Sequence, residues 1–387
     1  MDAKVTPQDR TQLQRALELA EGGRGRVSPN PLVGAVIVRD GQVIGEGLHA
    51  ELGDLHAERA ALVDCRERGE DPGGATMYVT LEPCAHQGRQ PPCVEAILEV
   101  GIARVVIASD DPSEKAAGRG PGILRDGGVE VDFATGAEAT AARRLNQPFR
   151  KHARTGLPHV VLKMAMSLDG RTTTAPDDSP WISGPESREL VHRWRSESDA
   201  IAVGIGTVLA DDPLLTARKE GARQPARVVF DSQARLPLDS QLLKTLDQSP
   251  AFVVAAPDAS SDRLHVLQNA GAEIFLATGI EAALSDLGRR NITSVFLEGG
   301  RTLASAFASA DQIDESRTFI APMLLGQPNP APRAGGTVGG TPPEEALATG
   351  RGGGSPAVTG PVRLNALNST VQQIGHDTLI TARFKEW

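Results

Sequence analysis

Residues 80–93 read TLEPCAHQGRQPPC. The stretch before them, GATMYVTL (74–81), is a strand that Pro83 stops. The stretch after them, CVEAILEVG (93–101), carries apolar residues at helical spacing. Two of the chain's three cysteines, Cys84 and Cys93 but not Cys65, therefore bracket one loop, at a strand end and a helix start. Upstream, DLHAERAAL (54–62) opens another helix with His56 and Glu58 two residues apart. A strand flanked by two helices is a unit of α/β layering, and the neighbouring segments extend it. In QDRTQLQRALELAE (8–21), Leu13, Ala16, Leu17 and Ala20 share one helical face. PLVGAVIVRDGQVIGEGLH (31–49) reads as two strands joined at Asp40-Gly41, a strong hairpin signal. ARVVIASDDP (103–112) is a buried strand with an acidic end, GILRDGG (122–128) a helix and VEVDFATG (129–136) a strand. The order β-β-α-β-α-β-α-β gives an α/β sandwich.

The chain has 387 residues, too many for one ordinary core, so two domains are expected. LNQPFRKHARTGLP (145–158) is polar, basic and Pro-containing, and places the boundary near residue 150: residues 1–148 form one domain and 149–387 another. The second half alternates strands (HVVLKMAMS, SDAIAVGIGTVLA, PARVVFDS, PAFVVAAP, AEIFLAT, TSVFLEGG) with helices such as GPESRELVHRWRSE, which implies a mostly parallel sheet. The Gly/Pro-rich residues 326–360 read as a mobile surface loop before a last strand pair, PVRLNALNST and DTLITARFKEW. A net charge of −9 disfavours a broad nucleic-acid surface. Three cysteines are too few for a disulfide scaffold, the N-terminal stretch 1–23 holds no apolar run of signal-peptide length, and no segment approaches the length of a membrane span. A cytoplasmic protein is the expectation.

A His at a helix start, or one buried Cys, is ordinarily structural; the combination carries the chemistry. One imidazole and two thiolates make three soft ligands and leave a tetrahedral position open, the mark of catalytic zinc. Helix N-termini help keep the thiolates deprotonated. His-x-Glu followed by Pro-Cys-x-x-Cys is the signature of zinc deaminases, with the Glu carrying protons rather than binding metal. Here eight residues separate Cys84 from Cys93, and this insert holds His86, a rival ligand. His56 is preferred because Glu58 comes with it in register. The expected reaction is attack of water on a ring carbon bearing an amino group, with zinc bringing the water's pKa near 7. Glu58 takes the proton from water and delivers it to the departing ammonia.

SPNPLVGAVIV (28–38), GEGLHAELGDLHAE (45–58), TLEPCAHQGRQPPC and DDPSEKAAGRG (110–120) together resemble the deaminase half of the bifunctional riboflavin-biosynthesis deaminase/reductases, where a long insert between the cysteines is normal. The resemblance implies a cytidine-deaminase-like α/β/α sandwich, one zinc per chain on His56, Cys84 and Cys93, and Glu58 as catalytic residue. Substrate contacts fall on Asn30, His49, Arg89 and Asp111. The substrate implied is a diaminopyrimidinone carrying a ribose 5-phosphate. Two departures are Ala85-His86 for Ser-His, and Asp111-Pro112-Ser113-Glu114 for Asp-Pro-Asn-Pro.

KMAMSLDGR (163–171), the long run 180–218, VVFDS (228–232) and EGGRTLASAF (298–307) resemble the reductase half of the same family. That half implies a dihydrofolate-reductase-like α/β domain using NADPH to reduce the ribose of the deaminated product to a ribityl chain. Cofactor contacts carried over by motif are Met166, Trp181, Thr207, Asp211, Ser232, Gly300, Arg301, Thr302, Leu303, Ala304, Ser305 and Ala306. Substrate contacts are Ser179, Arg195, Leu215, Arg218 and Glu298. Arg195 and Arg218 suit a sugar phosphate, because guanidinium groups bind phosphate bidentately. Lys163 and Asp169 are the nearest candidates for proton handling. By itself EGGRTLASAF is a strand, a Gly-Gly turn and a helix start, a plausible phosphate cradle that is also common as a plain turn.

Three other readings compete. A nucleic-acid-editing deaminase needs basic surface and stacking aromatics, whereas this chain is acidic and 3% aromatic. A zinc-stabilised scaffold would have four protein ligands. A single-activity deaminase with a decayed C-terminal half is countered by the presence of Asp211, Arg218, Glu298 and Gly299-Gly300. The expected partners are a phosphorylated pyrimidine and further copies of the chain in a homo-oligomer, with neither nucleic acid nor membrane.

Overall fold

The computed structural model describes residues 5–88, 90–114, 116–173, 181–218, 221–326 and 363–387. The N-terminal half runs α1 (Pro7–Glu21), β1 (Gly34–Arg39), β2 (Gln42–Leu48), α2 (Ala57–Glu67), β3 (Thr76–Val79), α3 (Cys93–Glu99), β4 (Arg104–Ile107), α4 (Arg119–Asp126), β5 (Glu130–Phe133) and α5 (Ala137–Leu145). Its five strands lie in the order β2-β1-β3-β4-β5. Asp40 and Gly41, with φ of 52° and 78°, make the left-handed turn that joins β1 to β2. Side chains alternate across the sheet: Ala35, Ile37, Met77 and Val105 face α2, α3 and α4, while Val36, Val38, Tyr78 and Val106 face α1 and α5. The α/β/α sandwich read from the sequence is the observed one. Two glycines let α2 sit directly on β2: a Cβ on Gly47 would lie 2.2 Å from Ala61 N, and one on Gly45 2.5 Å from Ala61 O. This contact fixes the helix that begins after His56.

Asp9 fastens α1 to the sheet. It closes a capping box with Thr6 and accepts hydrogen bonds from Tyr78 Oη at 2.8 Å and Arg104 Nη1 at 2.8 Å. Burial pushes its carboxyl up, but the bonds from Arg104, Thr6 and Tyr78 outweigh this and hold it at about 2. A depressed carboxyl stabilises the fold above its ordinary value of 3.8 and stops doing so as pH falls through 2. Asp9→Asn should therefore cost about 2 kcal/mol at pH 6. The difference from wild type should vanish near pH 2. Urea unfolding at both pH values measures it.

After α6 (Gln147–Thr155) the second half runs β6 (His159–Ser167), α7 (Pro185–Glu197), β7 (Ala200–Gly204), α8 (Ile205–Asp211), β8 (Ala226–Phe230), α9 (Gln241–Lys244), β9 (Ala251–Ala255), α10 (Ser261–Asn269), β10 (Glu273–Leu276), α11 (Ile280–Arg289), β11 (Ser294–Leu297), α12 (Arg301–Ser309), β12 (Glu315–Ala321), β13 (Asn368–Ile374) and β14 (Asp377–Arg383). Nine strands order as β10-β9-β8-β7-β11-β6-β12-β14-β13. The sheet is parallel from β10 to β12 and antiparallel over the last two pairings. Apolar layers cover both faces, one under α11 and α12, the other under α7, α9 and α10.

Four readings change. The presumed linker at 145–158 is the helix α6, whose charges misled the composition argument: Arg150 and Lys151 are each 1% exposed and paired. The run 198–210 is a short strand followed by α8, because Gly204 starts a helix there. ESRTFIA is the strand β12, unrecognised because its charged residues Glu315 and Arg317 pair with each other. The strand expected at 361–370 begins at Asn368. Residues 327–360, most of the loop read as mobile, lie outside the described residues.

Candidate active sites

Three elements converge beyond the carboxyl end of β3, the middle strand of the first sheet. His56 caps α2, Cys84 follows β3, and Cys93 is the first residue of α3. His56 Nδ1 lies 3.5 Å from Cys84 Sγ and 3.4 Å from Cys93 Sγ, and the three ligand atoms all fall within 4.8 Å of one another. Bonds of roughly 2.1 Å to nitrogen and 2.3 Å to sulfur subtend about 3.6 Å at a tetrahedral centre. The donor set and its spacing therefore fit zinc with one position left open. Cys93 N–H donates to Cys84 Sγ at 3.3 Å. The hydrogen bond between the Cys93 and Cys84 side chains, then that to His56, draws the Cys84 thiol down to about 4 against the opposing effect of burial. The same side-chain bond, with burial, pushes the Cys93 thiol up. His86 stands outside the group, and its buried Nδ1 has no hydrogen-bond partner among the described residues.

Glu58, in the first turn of α2, is 4% exposed and is not a member of the ligand group. Burial, then the charge of Cys84, pushes its carboxyl up to about 7. That value suits a group that both accepts and returns a proton near neutrality. Asn30 and His49 complete the rim: their Nδ2 and Nε2 are 3.1 Å apart, and His49 Nδ1 lies 3.0 Å from Leu55 O. With Nδ1 protonated, His49 donates to Leu55 and accepts from Asn30. Its ring sits edge-on to His56 at 5.6 Å. Asp111, in the loop after β4, accepts from Ser113 N–H at 2.8 Å, and burial raises its carboxyl. Ser113 supplies the backbone N–H that closes this turn, so its replacement of Asn leaves the turn intact. Arg89 and Ser179 lie outside the described residues.

In the second sheet the cofactor candidates gather at the carboxyl edge of the parallel strands. Met166 is next to last in β6, Thr207 and Asp211 are on α8 after β7, and Ser232 follows β8. Gly299 and Gly300 join β11 to α12, whose first six residues are Arg301, Thr302, Leu303, Ala304, Ser305 and Ala306. This is the edge at which open α/β sheets take ligands. Trp181 is 57% exposed, with Arg188 5.0 Å over its ring. Arg195 is already held in a fork by Glu298, at 2.6 and 2.9 Å. Arg218 has no ion-pair partner among the described residues and lines a cavity of 560 Å³ with His192, Arg193 and Glu189. Arg218 and the buried Leu215 adopt positive φ of 50° and 53°. Burial lowers Lys163, which faces the Glu298 carboxylate. Asp169 is bound by Ser167 Oγ and by the N–H groups of Leu325 and Gly326, so its carboxylate is spent on the loop. His192 went unnoticed in the sequence, although it lies one turn before Arg195 on the same helix.

The fold and site define a two-domain enzyme, a cytidine-deaminase-like zinc-binding domain followed by a reductase domain. Family models agree: residues 6–109 match the cytidine and deoxycytidylate deaminase zinc-binding region, and residues 158–340 the RibD C-terminal domain. The chain belongs to the RibD family, the bifunctional deaminase/reductases of riboflavin biosynthesis. It is 39% identical over 327 residues to the riboflavin biosynthesis protein RibD of Actinobacillus pleuropneumoniae, covering 83% of this chain and 85% of that one. The structure of Acinetobacter baumannii RibD matches with a TM-score of 0.79 at 37% identity, over 98% and 99% of the two chains. A Thermotoga maritima structure, described as a diaminohydroxyphosphoribosylaminopyrimidine deaminase/5-amino-6-(5-phosphoribosylamino)uracil reductase, matches with a TM-score of 0.79 at 33% identity, over the same shares. Both regions are present, which favours two activities over a decayed C-terminal half. No helix among the described residues is long and apolar enough to cross a membrane.

Proposed function

We propose that the chain hydrolyses the amino group of 2,5-diamino-6-(5-phosphoribosylamino)pyrimidin-4-one and then reduces the ribosyl group of the product with NADPH. The observation that carries the first step is the His56, Cys84 and Cys93 triangle with buried Glu58 beside it. Those three residues would hold one zinc, which supplies Lewis acidity that makes water a nucleophile near neutral pH. Glu58 takes a proton from the attacking water and returns it to the amine, so that ammonia leaves and a carbonyl remains. Asn30, His49, Arg89 and Asp111 orient the ring and its sugar.

For the second step, Met166, Trp181, Thr207, Asp211, Ser232 and residues 300–306 bind the NADPH, which supplies hydride. The Gly300 turn and the start of α12 offer free N–H groups for a phosphate. Ser179, Arg195, Leu215, Arg218 and Glu298 bind the sugar phosphate so that its C1 meets the hydride donor, which is positional work. Glu298 holds the Arg195 fork, so Arg218 is the stronger phosphate ligand. Arg218→Ala should weaken the substrate's KM for reduction by about 1.5–3 kcal/mol. Ammonia release should not change. Paired NADPH-absorbance and ammonia assays measure this, and oxidation with NADH in place of NADPH tests the cofactor.

The domains divide at the start of α6, near residue 148. The protein acts in the cytoplasm, in keeping with its three unpaired cysteines. It assembles as a homo-oligomer, a reading supported by the edge strand β13, where Val371 is 66% exposed.

A further inference from the structure

Helix α6 lies between the two halves and contacts both through residues four apart. Asn146, which caps it, pairs with both backbone groups of Leu32: Leu32 N–H donates to Oδ1 at 2.8 Å, and Nδ2 donates to Leu32 O at 2.9 Å. Leu32 is two residues from Asn30. One turn later, Arg150 donates from Nη1 to Ser109 Oγ at 3.1 Å and to Asp110 O at 2.8 Å. Its Nη2 meets the Asp110 carboxylate at 3.2 and 3.3 Å. Asp110 adjoins Asp111, and the same loop receives Glu82 N–H on Ser109 O at 3.0 Å, two residues before Cys84. On the adjacent helix face, Gln147 pairs with the backbone of Trp387 through Nε2–O at 3.2 Å and N–Oε1 at 2.8 Å. Lys151 meets Asp314 at 2.7 Å, and Trp387 Nε1 donates to Asp314 at 2.9 Å. Arg150 joins the two faces, because its Nε donates to Trp387 O at 2.6 Å. A second tie runs from Ser28 Oγ to Asp199 at 2.8 Å, on the same loop as Asn30.

We infer that Asn146 and Arg150 are positioning residues for deamination: they set the loops carrying Asn30 and Asp111 around the zinc triangle, using the reductase sheet as their anchor. A buried guanidinium satisfied by one loop carbonyl, a hydroxyl, a carboxylate and the Trp387 main-chain oxygen fixes geometry more than it stabilises a surface. Lys in its place has one compact head and cannot span those acceptors. The inference rests on the proposed substrate contacts of Asn30 and Asp111. Deamination thereby depends on the half that carries the other activity, while reduction does not depend on these loops.

The test uses full-length Arg150→Lys, with Asp110→Asn as a second variant on the half-exposed partner, which the fold tolerates more easily. Zinc content, deamination kcat and KM, and reduction kcat and KM on the separately supplied deaminated substrate are measured for each. The expected result is a deamination KM raised about tenfold in Arg150→Lys, the loss of one well-placed charged contact. A smaller rise in Asp110→Asn, with kcat, zinc and both reduction constants near wild type, completes the pattern. Unchanged deamination KM in both variants overturns the inference, as does a parallel loss of zinc, kcat and reduction, which would make α6 merely structural. Asp111→Asn separates the assumption: if it raises KM while Arg150→Lys does not, only the positioning role fails. If Asp111→Asn leaves KM unchanged, the substrate contact itself is wrong, and the positioning role falls with it.

Discussion

Glu58→Gln should release ammonia about 100- to 10,000-fold more slowly than wild type, the range lost with a general acid–base group. Gln is nearly isosteric and uncharged, so it fills the same buried space on α2. It can still hydrogen-bond, but it cannot accept a proton from water or return one to the amine. The side chain lies outside the His56, Cys84 and Cys93 group. Zinc should therefore remain at about one per chain. A variant that loses metal and activity together would mean that Glu58 is a ligand. A variant that deaminates at the wild-type rate would leave the proton without its assigned carrier.

Cys84→Ser and Cys93→Ser should each lose zinc on dialysis and release no measurable ammonia. Two soft ligands on a hydroxyl-for-thiolate exchange do not hold the metal as three do. Because binding contributes to folding, the N-terminal half should also melt earlier. Cys65→Ser is the control. Cys65 is fully buried on α2 with Sγ 3.5 Å from Glu70 O, away from the triangle, and it should keep zinc and activity. Emission spectroscopy for metal and a thermal scan separate the cases. Zinc retained in the Cys84→Ser, Cys93→Ser double variant would contradict the ligand set. Zinc lost from His86→Ala but kept in His56→Ala would move the site to the rival imidazole.

The grouping of His56, Cys84 and Cys93 was legible in the sequence because its members sit near element ends that local rules mark well: Pro83 lies just beyond a strand, Pro92 precedes a helix, and His56 opens one. Period-two and helical patterns likewise gave the first sheet, because each of its layers packs one apolar face. The junction was not legible. In α6 the buried positions are Gln147, Arg150 and Lys151, and Asn146, which caps the helix, is buried with them; all four are polar. Their partners, Leu32, Asp110, Asp314 and Trp387, are between 40 and 240 residues away. No periodicity of hydrophobicity reports a helix whose buried face is charged. The same holds for β12, where Glu315 pairs with Arg317 and Arg383 inside the second sheet. The Arg195–Glu298 fork is a contact over 103 residues, which no local pattern reports.

The central claim is that one chain carries two sites on two sheets that share no catalytic residue. The most direct test supplies Glu58→Gln with the already deaminated substrate, 5-amino-6-(5-phosphoribosylamino)uracil, and follows NADPH absorbance. Sites that share no catalytic residue predict oxidation within about twofold of the wild-type rate, since Glu58 contributes nothing to hydride alignment. Reduction that falls in step with ammonia release would contradict the claim, because it would place Glu58 in the path of both reactions.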